Sequence, residues 1–402
     1  MEGTRGGLRP RGRPPARGDR RFPARAGRDA YLPRPLRRRA GRRAHHRWLP
    51  AVVPPADKAT VTFAVTAPDA YQVVANGRLE ARVDLPGPTT RTRYRSLRPL
   101  PMKVAVIGAA RFAVGYPGAA AGVPLESWVY PQSLPSGFDQ MAQAGRIVRF
   151  FTDKIAPFPF EKLANVESKT RYGGMENAGA IFYSEQAVAE GAGIEPLLAH
   201  EIAHQWFGDD VTETSYRRVR ALDGVTVRDD CRMTDYRYDE ATELLNPFSY
   251  QKGAWVLHML RRRVGDEVFW AGLRRFYRAH AGGSADTRDF RAAMEAASGS
   301  DLRSFFEQWT DGPAVPRYEG TWRYEDGRLT VRLRQVAPED FTYTLPLEIG
   351  LYASDGAEPR VETVDVNARR ETVSFSVEEA PARVALDPRA NALIDVASFE
   401  RQ

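Results

Sequence analysis

The stretch Leu198–Gly208 reads Leu-Ala-His-Glu-Ile-Ala-His-Gln-Trp-Phe-Gly and contains His200-Glu201-x-x-His204. On a helix, positions i and i+4 share one face a turn apart, so His200 and His204 can reach a single ion. Glu201 points about 100° round the axis, where a carboxylate meets a water beside such an ion rather than the ion itself. The chemistry implied is metal-assisted hydrolysis with a base next to the metal. Ordinary residue frequencies produce one such match in a chain this long with a chance of roughly 0.005. Alone, the pattern is only moderately specific.

Two further stretches carry reactive groups. Gly173-Gly174-Met175-Glu176-Asn177 ends 23 residues before His200, and Pro247-Phe-Ser-Tyr250-Gln-Lys-Gly253 follows downstream. In isolation Glu176 reads as a solvated turn carboxylate, and Tyr250 as packed core at a helix start. In this order, the three motifs resemble the zinc aminopeptidases of the aminopeptidase N family, gluzincins with a thermolysin-like catalytic domain. The resemblance runs from Trp48 to the end and includes Phe305-Phe-Glu-Gln-Trp309. An upstream Gly-x-Met-Glu-Asn block beside HExxH makes it highly specific.

That resemblance implies one zinc ion per chain, held by His200, His204 and a third carboxylate, with water in the fourth position. Glu201 matches the general base, and Tyr250 the tyrosine whose hydroxyl bonds the oxyanion. Glu176 matches the carboxylate that binds the substrate's free α-amino group, which makes such an enzyme an exopeptidase. Gly173, Gly174, Met175 and Asn177 complete the substrate-binding block, with the two glycines on an edge strand that pairs with the peptide. The implied partners are peptides with a free amino terminus.

One position departs from the family. The third ligand there is a glutamate 19 residues after the second histidine; here that position is Asp223, in Ala221-Leu-Asp-Gly-Val225. Zn–O bonds need about 2.0–2.2 Å, so a side chain one methylene shorter retreats by roughly 1.5 Å. The neighbouring Thr214–Thr234 run lacks the family's aromatic helix and shares the Arg-rich texture of the amino terminus. We expect residues 1–47 and 214–235 to be sequence read out of frame, which the coding DNA tests; a divergent loop is the alternative. On this ground an inactive, peptide-binding relative is the runner-up to an active enzyme.

The elements that must position these residues follow from periodicity. The fold expected is multidomain α+β. Alternation at Val61, Phe63 and Val65, a turn signal at Asn76-Gly77, and strands near Val104–Val114 mark an amino-terminal antiparallel β domain over 48–132. Helical spacing over Phe138–Ile155 opens a mainly helical, thermolysin-like peptidase domain over 133–316. A strand at Asn165–Lys169 and helices at Tyr250–Arg262, Glu267–His280, Thr287–Ala297 and Asp301–Trp309 belong to it. Beyond Pro316 the period falls to two, giving a small β-sandwich over 317–402.

Composition excludes several classes. A single Cys231 leaves no internal disulfide and no all-cysteine metal site. The formal charge of +7 invites nucleic acid, but residues 1–50 hold 16 Arg against three acids, leaving the remainder acidic. The arm at 1–47 is read as disordered, and no nucleic-acid partner is expected. No run of about 18 apolar residues suggests a membrane span. As it stands the chain reads as cytoplasmic; a signal on a different amino terminus would make it secreted or cell-envelope.

Overall fold

The computed structural model describes residues 31–32, 49, 55–189, 193–213, 248–313, 315–354 and 356–402. Strands β1 (Ala113–Ala120), β2 (Val123–Val129), β3 (Leu163–Ser168), β4 (Gly174–Met175) and β5 (Ala180–Ser184) form one sheet in the order β4-β5-β3-β2-β1. β3 pairs in parallel with β2 and β5, while β1 and β4 are antiparallel edges. β3 and β5 are buried along almost their whole length, as strands covered on both faces must be.

Helices α1 (Ala144–Lys154) and α2 (Glu195–His204) cover one face. Ile147, Val148, Leu198, Ile202 and Trp206 share a core there with Leu163, Ile181 and Tyr183. The other face packs Val166, Ala180 and Phe182 against Val74 and Val106 of the amino-terminal strands. The sheet thus differs from the expected domain boundary at 132, because Ala113–Val129 belongs to it. Local alternation marks those residues as strands but says nothing about their partner, which is a matter of non-local register.

The rest of the amino-terminal region is antiparallel. Thr62–Pro68, Thr89–Arg95 and Arg78–Leu85 form one sheet, and Gln72–Ala75 pairs with Ile107–Ala110. Gly77, between two of these strands, has φ +84°, and a Cβ there would lie 2.2 Å from the Arg95 carbonyl. Only glycine fits that turn. Disorder was expected throughout 1–47, yet Tyr31–Leu32 pairs with Ile107–Gly108. Backbone pairing to an open edge requires no apolar periodicity.

Residues 317–401 form two sheets, one of four and one of three strands, around a shared core that includes Tyr318, Trp322, Val331, Leu347 and Ile349. Gln308 joins this unit to the helices: its Nε2 donates to the Thr344 carbonyl at 2.8 Å and its Oε1 accepts from the Thr344 N–H at 2.8 Å. Trp309 lies 4.8 Å from the Tyr343 ring. No helix among the described residues is long and apolar enough to cross a membrane.

A basic clasp fastens the amino-terminal strands to the turn after α2. Arg98 pairs with the buried Asp210 at 2.9 Å, and Lys103 with Glu213 at 3.0 Å. Lys58 Nζ donates to the carbonyls of Asp210 at 2.5 Å and Gly283 at 2.8 Å. Burial lowers the Lys58 ammonium to about 8, against the pull of Asp210 and Asp209. The unfolded chain therefore holds a proton that the folded chain releases between pH 8 and 10.5, so stability rises with pH across that window. Lys58→Met should remove on the order of 1–2 kcal/mol of that rise; urea unfolding of both proteins at pH 7.5 and 10.5 reads it, and parallel slopes would contradict it.

Candidate active site

α2 begins with Pro196 in its first turn, where the missing N–H costs nothing. Leu198, Ile202 and Trp206 are fully buried and hold its inner face. The Trp206 indole N–H donates to the Ala156 carbonyl at 3.0 Å, and its ring meets Phe158 edge-on at 5.3 Å. A helix so anchored presents its remaining face, with His200 and His204, from a fixed place.

The two imidazoles converge. Their Nε2 atoms lie 3.2 Å apart. Two nitrogens bound to one tetrahedral zinc at ~2.0–2.1 Å would be separated by about 3.3 Å. His204 Nδ1 sits 3.0 Å from the Phe207 carbonyl, an acceptor that places the proton on Nδ1 and frees Nε2. Surrounding protein, and then His204, hold His200 below its ordinary range, opposed by Glu176. His200 is thus suited to be a neutral ligand, and His204 turns its Nε2 toward the same point. The donor set described here fits two of the three protein ligands that a catalytic zinc requires. Asp223, the third expected ligand, lies outside the described residues, and no group of three metal-binding side chains occurs among the described ones.

Glu201 is buried, and its carboxyl is pushed up to about 8, first by burial and then by the charge of Glu176. It lies against the edge strand: a Cβ on Gly174 would sit 2.3 Å from Glu201 Oε1. Glycine is needed here for space, not for its backbone freedom. Among the described residues β4 pairs with β5 on one side only, and its other edge is where an extended chain would pair.

The block that follows β4 is a turn. Asn177 N–H donates to the Met175 carbonyl at 2.8 Å and Ala180 N–H to the Asn177 carbonyl at 3.0 Å. Glu176 lies beside this edge, half-buried and near enough to act on His200, Glu201 and Tyr250. Met175 packs on the sheet with Phe182. The Asn177 side chain is buried and turns back to the Met175 carbonyl at 3.3 Å, so it builds the turn. Gly173 accepts from the Ser184 N–H at 2.9 Å.

Tyr250, on a short wide-turned helix at Phe248–Lys252, stacks its ring on His200 at 6.0 Å and 22°. Burial, then the charges of Glu176 and Glu201, raise its phenol above the ordinary range, so it remains a donor at neutral pH. His200, Glu201, His204, Glu176, Gly174 and Tyr250 therefore meet in one place. Gln205 was missed by sequence reasoning. It is fully buried and bonds to both ends of the 176–179 turn; its only signal was adjacency to His204.

Comparison with known proteins follows the same lines. The model of the peptidase family M1 domain matches residues 140–242 and 213–309, two pieces that overlap across the stretch where the chain departs from the family pattern. Glutamyl aminopeptidase of Bitis rhinoceros is 24% identical over 312 residues, covering 65% of this chain and 32% of that protein. Aminopeptidase N of Lactococcus lactis subsp. lactis is 29% identical over 222 residues, covering 43% and 26%. Aminopeptidase A of Legionella pneumophila, solved in complex with aspartic acid, aligns with a TM-score of 0.71 at 18% identity, over 85% of this chain and 45% of that one. The chain spans about a third of the length of the glutamyl aminopeptidases it matches.

Proposed function

We propose that this chain, which matches the peptidase family M1 domain over residues 140–242 and 213–309, is a member of that family and removes the amino-terminal residue from peptides in a zinc-dependent hydrolysis. The observation that carries this reading is the seating of the Glu201 carboxylate in the space left by Gly174, which joins a base to an open strand edge beside Glu176. His200 and His204 would hold the zinc, with Asp223 proposed as the third ligand. When bound, zinc polarises the scissile carbonyl and favours ionisation of water.

The protein's own groups account for the remaining steps. An extended peptide pairs with the open side of Gly174–Met175, and its α-ammonium meets the Glu176 carboxylate. Glu201 accepts a proton from the attacking water and passes it to the departing amine. The Tyr250 hydroxyl donates to the oxygen on which charge develops. An internal peptide bond offers no ammonium to Glu176, which limits attack to the first residue.

Zinc-loaded chain and chromogenic amino-acid amides, free or N-acetylated, test the reading. Turnover of the free amides alone supports it, and equal turnover of both forms, or internal cleavage of longer peptides, overturns it. Glu176→Gln keeps a hydrogen-bonding group but removes the charge. At about 1.5 kcal/mol for the charged component, kcat/KM for the free amide should fall roughly tenfold, mostly through KM. An unchanged KM would count against amine recognition by Glu176.

A further inference from the structure

The turn that carries Glu176 is gripped by two buried carboxamides from different parts of the fold. Gln205, one residue past His204, accepts at Oε1 from the Gly179 N–H at 2.7 Å. Its Nε2 donates to the Glu176 carbonyl at 3.0 Å and to Asp209 Oδ2 at 3.0 Å. A backbone N–H can only donate and a carbonyl can only accept, so the orientation of this amide is forced. Asn76 grips the same turn from the amino-terminal strands. Its Nδ2 donates to the Ala178 carbonyl at 2.8 Å and to the Val104 carbonyl at 2.9 Å, while Oδ1 accepts from the Val106 N–H at 2.6 Å. Both side chains are fully buried. Asn76-Gly77 is thus more than a hairpin signal: Gly77 makes the turn, and Asn76 reaches the recognition block.

We propose that Gln205 and Asn76 are positioning residues that set the placement of Glu176, and that docking of the amino-terminal strands thereby contributes to recognition of a free α-amino group. This inference rests on the aminopeptidase reading above. Gln205 fixes the turn to the helix that bears the two histidines and the base. Asn76 fixes it to the strands that pack on the far face of the sheet. Neither touches substrate. A group that acts through Glu176 changes binding in the ground state and the transition state alike, so its loss raises KM and spares kcat.

Gln205→Glu and Asn76→Asp are near-isosteric tests. The first retains the acceptor for Gly179 but presents a carboxylate oxygen to the Glu176 carbonyl; the second removes the donor to Ala178 and retains the acceptor for Val106. On free amino-acid amides with zinc-loaded protein, each should raise KM about tenfold with kcat within about threefold, at unchanged zinc content. Built into Glu176→Gln, the same substitutions should add less than twofold, because the group they position is already impaired. Loss of kcat at unchanged KM, or a full tenfold penalty retained in the Glu176→Gln background, overturns the proposal. If Gln205→Glu does not fold, Asn76→Asp, which lies far from the metal ligands in sequence, carries the decision. A wild-type chain that turns over no free amide contradicts the proposed function itself and takes this inference with it.

Discussion

Glu201→Gln should lower kcat by about 10³–10⁴-fold while leaving the zinc content of the protein unchanged. Gln has the volume of Glu but cannot accept a proton, and general-base catalysis contributes about 10²–10⁴-fold; the upper range is expected where one group serves both the water and the leaving amine. The same substitution has an opposite effect on stability. In metal-free protein, burial and then Glu176 hold the Glu201 carboxyl at about 8, against an ordinary 4.5. The folded chain keeps a proton between those values that the unfolded chain has lost. Its stabilising contribution is complete below pH 4.5 and is lost as pH rises toward 8. At roughly 1.4 kcal/mol per unit, metal-free Glu201→Gln should exceed wild type by a few kcal/mol at pH 8.5 and approach it near pH 5. Unfolding curves at the two pH values read the difference. A variant no more stable at pH 8.5 would mean that Glu201 is solvated, which is incompatible with its burial.

Gly174→Ala should cost about a hundredfold in kcat/KM with little change in melting temperature. The added Cβ would lie 2.3, 2.5 and 2.6 Å from Oε1, Cδ and Cγ of Glu201. These atoms belong to the far end of a flexible side chain, and Gly174 has no positive φ. The fold can therefore absorb the methyl by displacing the carboxylate. That displacement is the damage, because a shift of about 1 Å in a reacting group costs on the order of 10²-fold. Full activity in this variant would show that Glu201 need not sit against the strand, whereas global unfolding would show that the strand has no slack. Either result would contradict the geometry proposed for the base.

Much of this site was legible in the sequence because the motifs are local. His200, Glu201 and His204 are placed by helical periodicity alone, and the neighbouring Leu198, Ile202 and Trp206 are positions that the core takes up. The glycine pair upstream signalled an edge strand, and Gly174–Met175 forms one. What was not legible is what depends on pairing between distant segments. Ala113–Val129 reads as strand from its alternation, yet its assignment to the central sheet rests on hydrogen bonds to Leu163–Val166. Gln205 and Asn76 look like an ordinary polar residue and a turn former. Apart from Asp209, their partners lie 26 or more residues away, and only burial shows that all their hydrogen bonds are directed inward. The clasp of Lys58, Arg98 and Lys103 is invisible for the same reason. Asp223 and the out-of-frame reading of 214–235 fall outside the described residues.

Convergence of the two imidazoles on one ion is the point on which the whole account turns, and zinc per chain after exhaustive dialysis tests it most directly. About one zinc per chain in the wild type, falling to less than about a tenth in His204→Ala, is the expected result for a site that needs three protein ligands. A wild-type chain that retains essentially no zinc, or a His204→Ala chain that retains all of it, would contradict the account.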